Sequence, residues 1–314
     1  MNSRPIANAT APSPFHAGEQ TLQTRAGKRA AIEAFGQKVI RPFMPDQHRR
    51  FFAQLPFVII GSVDQAGCPW TSILTARPGF IASPDAKTLT LSASRSAGDP
   101  LNDALRPQAQ VGLLGIDLRT RRRNRLNARV SSVTQDSLTL SVDQSFGNCA
   151  RYIQQRALEC IVDSTGATRQ SAPEKLEPPQ LLDAAARAMI SAADTFFVSS
   201  YVHPTDRPEV QGVDVSHRGG KPGFVKVQGN TLTIPDYPGN NYFNTLGNFL
   251  INPRAGLMFL DFEAGDILQL TGTVKLINDE SIPTSTGQDA EHGWCFTPSH
   301  GLRLKSSLPF RSGE

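Results

Sequence analysis

The feature that most constrains this fold is internal repetition: the 314-residue chain repeats the order of its local signals at an offset of roughly 140 to 145 residues. Each copy opens on a helical segment running into a β-rich strand, DQHRRFFAQ before PFVIIGSV and LLDAAARAMISAA before DTFFVSSYV. A polar turn follows, Asp64 to Gly67 in one copy and Pro204 to Arg207 in the other, then a second β-like segment, then Pro-Gly-Phe at 78–80 and again at 222–224. Thr88-Leu-Thr-Leu91 corresponds to Thr231-Leu-Thr-Ile234. The apolar run after Pro107 corresponds to the one after Pro253, and Asn124 to Val130 corresponds to Ile267 to Val274. Six strand-like segments per copy, with a helix between the fourth and fifth or at the edge, describe a small closed or nearly closed antiparallel barrel.

The length accommodates two cores of roughly 100 to 150 residues each. With 39% hydrophobic and 19% charged residues the composition is that of a folded globular chain, and no apolar run approaches the roughly 18 residues of a membrane span. The N-terminal stretch MNSRPIANATAPSPFHAGEQ reads as a loose tail without a secretory pattern, so a cytoplasmic location is expected. Cys68, Cys149, Cys160 and Cys295 form no C-x-x-C pair and read as reduced, mostly buried thiols. His16, His48, His203, His217, His292 and His300 are scattered, and no metal site is expected. The motifs G-x-G-x-x-G, G-x-x-x-x-G-K-[ST], H-E-x-x-H and G-x-S-x-G are all missing, which removes the common nucleotide, zinc-protease and serine-hydrolase readings. A net charge of +4 and a pI near 9.0 are small for this length, and the basic residues concentrate in DLRTRRRNRLNARV, from Arg119 through Arg122 and Arg123 to Arg129. That run fits either an anion site or a solvated strand edge; its few aromatics leave little equipment for stacking nucleic-acid bases.

The second copy carries DVSHRGGKPGF, then TLTIPDYPGNNYFNTLGNFLINPRAGLMF, then ILQLTGT. In that order these segments resemble the FMN-binding split barrels related to pyridoxamine 5'-phosphate oxidase. The first copy, with GIDLRTRRRNR and QSFGNCARYIQ, is similar to a two-barrel subgroup of the same family. The resemblance implies a mainly β, α+β chain of two tandem split barrels, each antiparallel, six-stranded and of Greek-key type, with flanking helices. The corresponding division is a flexible tail over 1–27, a first half over 28–163, a linker over 164–180 rich in Pro, Ser and charge, and a second half over 181–314 bearing the phosphate loop.

A flavin phosphate needs converging donors, and a helix N-terminus supplies free N–H groups with partial positive charge. The segment Pro238 to Asn248 is such an entry, with Asn240, Asn241, Asn244 and Thr245 as caps or ligands. The oxidase has an Arg-Lys pair where this chain has Asn244 and Thr245, so charge must come from elsewhere. Arg218 is expected as its chief source, with Lys221 beside it and the arginines from Arg121 to Arg125, Arg122 and Arg123 foremost, approaching the phosphate or an acidic substrate from the first half across the barrel interface. Ser216 and His217 alternate on one strand, so one of them faces the cofactor; Ser216 is the expected one, with His217 half-exposed, although a histidine beside the ring would also be available as a proton donor. Gln269 is expected at the polar edge of the ring. Trp70 fits a ring contact or ordinary core packing, and Cys149 is read as structural.

These readings imply an FMN-dependent oxidoreductase with a small-molecule substrate and a reductant drawn from solution or a partner protein. Further association into a homodimer stays open. The alternative is a non-catalytic carrier or sensor that binds flavin or haem.

Overall fold

The computed structural model describes residues 12–161, 172–203, 210–277 and 292–313. Three helices lead, α1 (Ala17–Arg25), α2 (Arg29–Val39) and α3 (Asp46–Ala53). A seven-stranded antiparallel sheet follows from β1 (Phe57–Val63), β2 (Pro69–Thr75), β3 (Ile81–Ala82), β4 (Thr88–Leu91), β5 (Gln110–Asp117), β6 (Arg122–Val133) and β7 (Leu138–Asn148), with the short α4 (Leu101–Ala104) between β4 and β5. After β8 (Leu158–Cys160), β9 (Glu174–Leu176) and α5 (Ala184–Ala192) comes the second sheet. It consists of β10 (Thr195–Val202), β11 (Gly212–Gly219), β12 (Lys226–Gln228), β13 (Thr231–Asp236), β14 (Arg254–Leu260), β15 (Ile267–Ile277) and β16 (His292–Leu304), joined at β16 by β9. The helix α6 (Asn244–Ile251) lies between β13 and β14, and β17 (Phe310–Ser312) pairs with β8.

The strand orders are β2-β1-β5-β6-β7-β4-β3 and β11-β10-β14-β15-β16-β13-β12, which is one and the same order when each sheet is counted from its own first strand. The first sheet has seven strands and the second eight rather than six, because a two- or three-residue strand forms after each Pro-Gly-Phe turn and β9 adds to the second sheet at β16.

Period-two alternation explains why the first strand of each sheet is buried on both faces over almost its whole length and is mostly apolar. Val58 and Ile60 point into the core of the first sheet with Leu89, Leu126 and Leu140, whereas Phe57 and Ile59 point out. In the second sheet Phe196 and Val198 face a core containing Trp294 and Phe296, while Phe197 points out. The outward residues, with Val215 and Met258, form a third core between the sheets. Glycines permit this close contact. A Cβ on Gly112 would stand 2.3 Å from the Val213 carbonyl oxygen, and one on Gly256 would stand 2.4 Å from that of Pro69. Thr71 Oγ1 shares a hydrogen bond of 2.6 Å with Ser199 Oγ and donates to the Gly256 carbonyl at 2.8 Å, so the seam is also polar at its centre.

Several expectations change. Within the segment expected as a loose tail, α1 is an ordered helix closed by a capping box, in which His16 Nδ1 accepts from the Gly18 amide and Glu19 accepts from the His16 amide. It lies flat on α6, where a Cβ on Gly18 would come within 2.2 Å of the Gly247 carbonyl oxygen. The expected linker lies outside the described residues over 164–171, and within its remainder Glu174–Leu176 forms β9. The expected turn at 204–207 also lies outside them. All four thiols are free, but none is buried, and Cys149 and Cys160 are exposed. Trp70 is buried, with its indole N–H donating to Asp64 at 2.9 Å, which makes it a structural side chain. Among the described residues no helix is long and apolar enough to cross a membrane, and no group of three potential metal ligands occurs.

Candidate functional site

The principal cleft, about 510 Å³, opens where β11, the β13–α6 loop and the start of α6 meet β6 and the end of β7 from the other sheet. The sequence builds it from three local devices. The chain leaves β13 through Pro235-Asp236-Tyr237-Pro238-Gly239 and turns through Asn241 and Phe243, both in the left-handed backbone region at φ 58° and 61°. Helix α6 then begins with no side chain capping its first turn, so its amide end faces the cleft uncovered. On β6, alternation turns Arg123 and Arg125 to one face and Arg122 to the other.

Arg125 is the hub. It is 3% exposed, donates to Asn244 Oδ1 at 2.8 Å and to Ser216 Oγ, and lies 3.7 Å from Asp214. Ser216 Oγ is in turn 2.7 Å from Thr245 Oγ1. Strand β6 of one sheet, β11 of the other and the first residues of α6 therefore converge on one polar cluster. Beneath it, Asn248 bridges Ser200, Asp214 and His16, which ties the helix start to β10, β11 and α1.

The lining is electropositive. Among the described residues, Arg25, Lys28, Arg123, Arg125, Arg151 and Arg218 contribute cations against a single carboxylate, Asp236. Burial, with Arg125 and Arg218 nearby, pushes the Arg123 guanidinium down to about 10, and burial likewise lowers Arg125 against the opposing pull of Asp214. Three guanidinium groups that disfavour one another in a shielded cleft would be relieved by an anion among them. Tyr152 and Tyr237, with ring centroids 5.3 Å apart, add an aromatic wall.

Of the residues expected from sequence, Ser216, His217, Arg218, Asn240, Asn241, Asn244, Thr245 and Arg123 all line this cleft. Their detailed roles differ from expectation in four ways. His217 is buried, not half-exposed. Burial and the cations Arg123, Arg218 and Arg156 hold its imidazole well below the usual histidine range, so the ring is neutral. Arg123 donates to its Nδ1 at 3.1 Å, which leaves the proton on Nε2, an atom buried without a partner. Arg218 is already paired with Asp236, so its charge is largely spent within the protein. Lys221 is exposed and off the cleft, and Arg122 is exposed with its guanidinium 4.8 Å above the Phe51 ring. Gln269 does not reach the cleft; it is fully buried between the sheets, donating to the Thr71 carbonyl at 2.8 Å.

From sequence, Arg125 is expected only as one of the run from Arg121 to Arg125, not as the central cation, and neither Tyr152 nor Arg25 and Lys28 are singled out. The alternation of Arg123 and Arg125 was a usable signal for Arg125. Nothing local announces that the end of α1 reaches a cleft more than 190 residues downstream.

Residues 182–299 match the pyridoxamine 5'-phosphate oxidase family. That span holds β10 to β15, α6 and most of the cleft, so the chain carries a pyridoxamine 5'-phosphate oxidase-like region. No curated protein matches the chain in sequence. Among solved structures, a variant of HupZ from Group A Streptococcus aligns at 10% identity over 39% of this chain and 99% of its own, with a TM-score of 0.30. A FAD-binding protein from Mesorhizobium loti aligns at 9% identity over 43% of this chain and 99% of its own, with a TM-score of 0.29. An FMN-binding protein from Syntrophomonas wolfei aligns at 8% identity over 40% of this chain and 96% of its own, with a TM-score of 0.27.

Proposed function

We propose that this chain is a tandem split-barrel flavoprotein, its halves at 28–163 and 181–314, that binds FMN in the cleft and acts as an FMN-dependent oxidoreductase. The observation that carries the reading is the cluster at the start of α6: an uncapped helix N-terminus, Thr245 and Ser216 hydroxyls, and the Arg125 guanidinium from the other sheet. Those donors suit a phosphate monoester, and Arg125 stands in for the basic pair that the oxidase carries at the position of Asn244 and Thr245. A cleft of about 510 Å³ lies within the usual range of roughly 300 to 1,000 Å³ for small-molecule sites. The identical strand order and the shared Pro-Gly-Phe turns support the tandem arrangement.

When bound, the flavin would supply the electron chemistry. The chain's own residues would orient and shield it. Arg125, Thr245, Asn244 and Ser216 would hold the phosphate, Arg123 would add positive potential, and Tyr152 with Tyr237 would border the apolar part. Neutral His217 lies beneath this surface as a donor through Nε2.

The test is spectroscopic. Freshly purified protein should show flavin bands and release FMN, and apoprotein should take up FMN at micromolar concentration. A charge-assisted hydrogen bond is worth about 1.5 to 3 kcal/mol, so Arg125→Ala should weaken FMN roughly ten- to hundredfold and riboflavin much less. A Soret band, released FAD, or equal losses for FMN and riboflavin would each sink the assignment.

A further inference from the structure

The register of the two sheets allows the cleft to be compared, residue by residue, with the corresponding place in the other half. Gly61 pairs with Thr71 and Gly112, and Gly112 pairs with Asn127; Ser199 pairs with Val215 and Gly256, and Gly256 pairs with Thr271. Counting along the strands from those anchors, Ser72 corresponds to Ser216, Leu74 to Arg218, Ile267 to Arg123 and Gln269 to Arg125. Helix α4 corresponds to α6, since each lies between the fourth and fifth strands of its sheet.

The hydrogen bonds correspond as well. Arg125 joins Ser216 to Asn244 at the start of α6, and Gln269 Nε2 joins Ser72 Oγ at 3.1 Å to Asp99 Oδ2 at 3.3 Å at the start of α4. The chemistry, however, is inverted. Three guanidinium groups are replaced by an amide and two aliphatic side chains, and the helix start presents a carboxylate in place of the Asn244 amide. Asp99 Oδ1 also accepts from Ser72 Oγ at 2.6 Å and from the Leu101 amide at 2.8 Å, so the first amide of α4 is already occupied by a carboxylate. Ser72 and Gln269 are 0% exposed, and α4 has only four residues.

We propose that this chain carries one flavin rather than two: Gln269, Asp99 and Ser72 are the counterpart of the phosphate site, closed into a buried polar latch that joins the halves. A phosphate there would meet a carboxylate with no cation beside it among the described residues, in a space already filled by side chains. The inference rests on the flavin reading of the first cleft. It deepens that reading by naming the residue pair, Arg125 and Gln269, that decides which half binds.

The test is the molar ratio of flavin to chain after reconstitution with excess FMN and removal of free ligand, read from the absorbance of released flavin against quantitative amino-acid analysis. One flavin per chain is expected, and two would overturn the inference while leaving the flavin reading intact. No uptake by folded protein would remove the reading itself and the inference with it. Two variants locate the site. Gln269→Ala should keep a ratio of one and an FMN Kd within about threefold of wild type while lowering the unfolding midpoint. Arg125→Gln, which copies the closed half, should bring the ratio well below one at FMN concentrations that saturate wild type. Loss of flavin in folded Gln269→Ala with retention in Arg125→Gln would place the ligand in the other half and refute the assignment.

Discussion

Glu19 lies at the back of the phosphate cluster, and its protonation should be visible in the stability of the whole chain. It is 3% exposed on α1, accepts hydrogen bonds from the His16 amide at 2.8 Å and from Asn244 Nδ2, and shares its surroundings with Asp214, Arg125 and the His16 ring, 3.4 Å away. Burial first and the Asp214 charge second push its carboxyl up to about 8 from an ordinary 4.5. The folded chain then holds a proton that the unfolded chain has released, so stability falls as pH rises from about 4.5 to about 8 and is level above. At about 1.4 kcal/mol per pH unit the full interval amounts to on the order of 4 to 5 kcal/mol. Glu19→Gln is neutral at every pH and of the same size. It keeps an acceptor for Asn244 and loses the one for the His16 amide, a cost of about 1 kcal/mol. The variant should therefore be slightly less stable than wild type at pH 5 and about 3 kcal/mol more stable at pH 9. Urea unfolding followed by tryptophan fluorescence at intervals from pH 5 to 9 measures the difference. Wild-type and variant curves that stay parallel across that range would refute the argument.

Because Asp236 already pairs with Arg218, Arg218→Ala should weaken FMN less than Arg125→Ala does, by under about tenfold in flavin-fluorescence titrations. Gly18→Ala drives a methyl group against the Gly247 carbonyl, and forcing α1 off α6 should cost about 1 to 3 kcal/mol in chemical unfolding. Trp294, fully buried against Phe196 and Phe249, should cost about 3 to 5 kcal/mol on truncation to alanine, read in the same assay. The His217 ring resonances should show no protonation shift between pH 8 and pH 5. Since the unfolded chain would take up that proton near 6.5 and the folded chain would not, this residue's contribution to stability falls as pH drops below 6.5.

Much of the architecture is local and was legible in residue order. Alternating and apolar runs specify strands and the Pro- and Asn-rich entry specifies the start of α6, whereas the Pro-Gly-Phe turns at 78–80 and 222–224, expected in hairpins, lie in the crossings from β2 to β3 and from β11 to β12, strands at opposite edges of their sheets. Strands such as β7 and β16, interrupted by polar residues, carry no clean alternation of their own, because their place is set by neighbours rather than by local pattern. The site divides in the same way. Ser216, Asn244 and Thr245 belong to contiguous motifs of one half, and sequence alone brought them together. Arg125 joins them from 119 positions upstream of Asn244, through a seam whose glycines let two sheets touch. Only that docking decided that Arg218 would be spent on Asp236, that His217 would be buried and neutral, that Gln269 would close a latch instead of facing a cofactor, and that α1 would lie on α6. Local propensity acts over a few residues of chain, whereas burial and charge pairing depend on which surfaces meet, and no single segment encodes that.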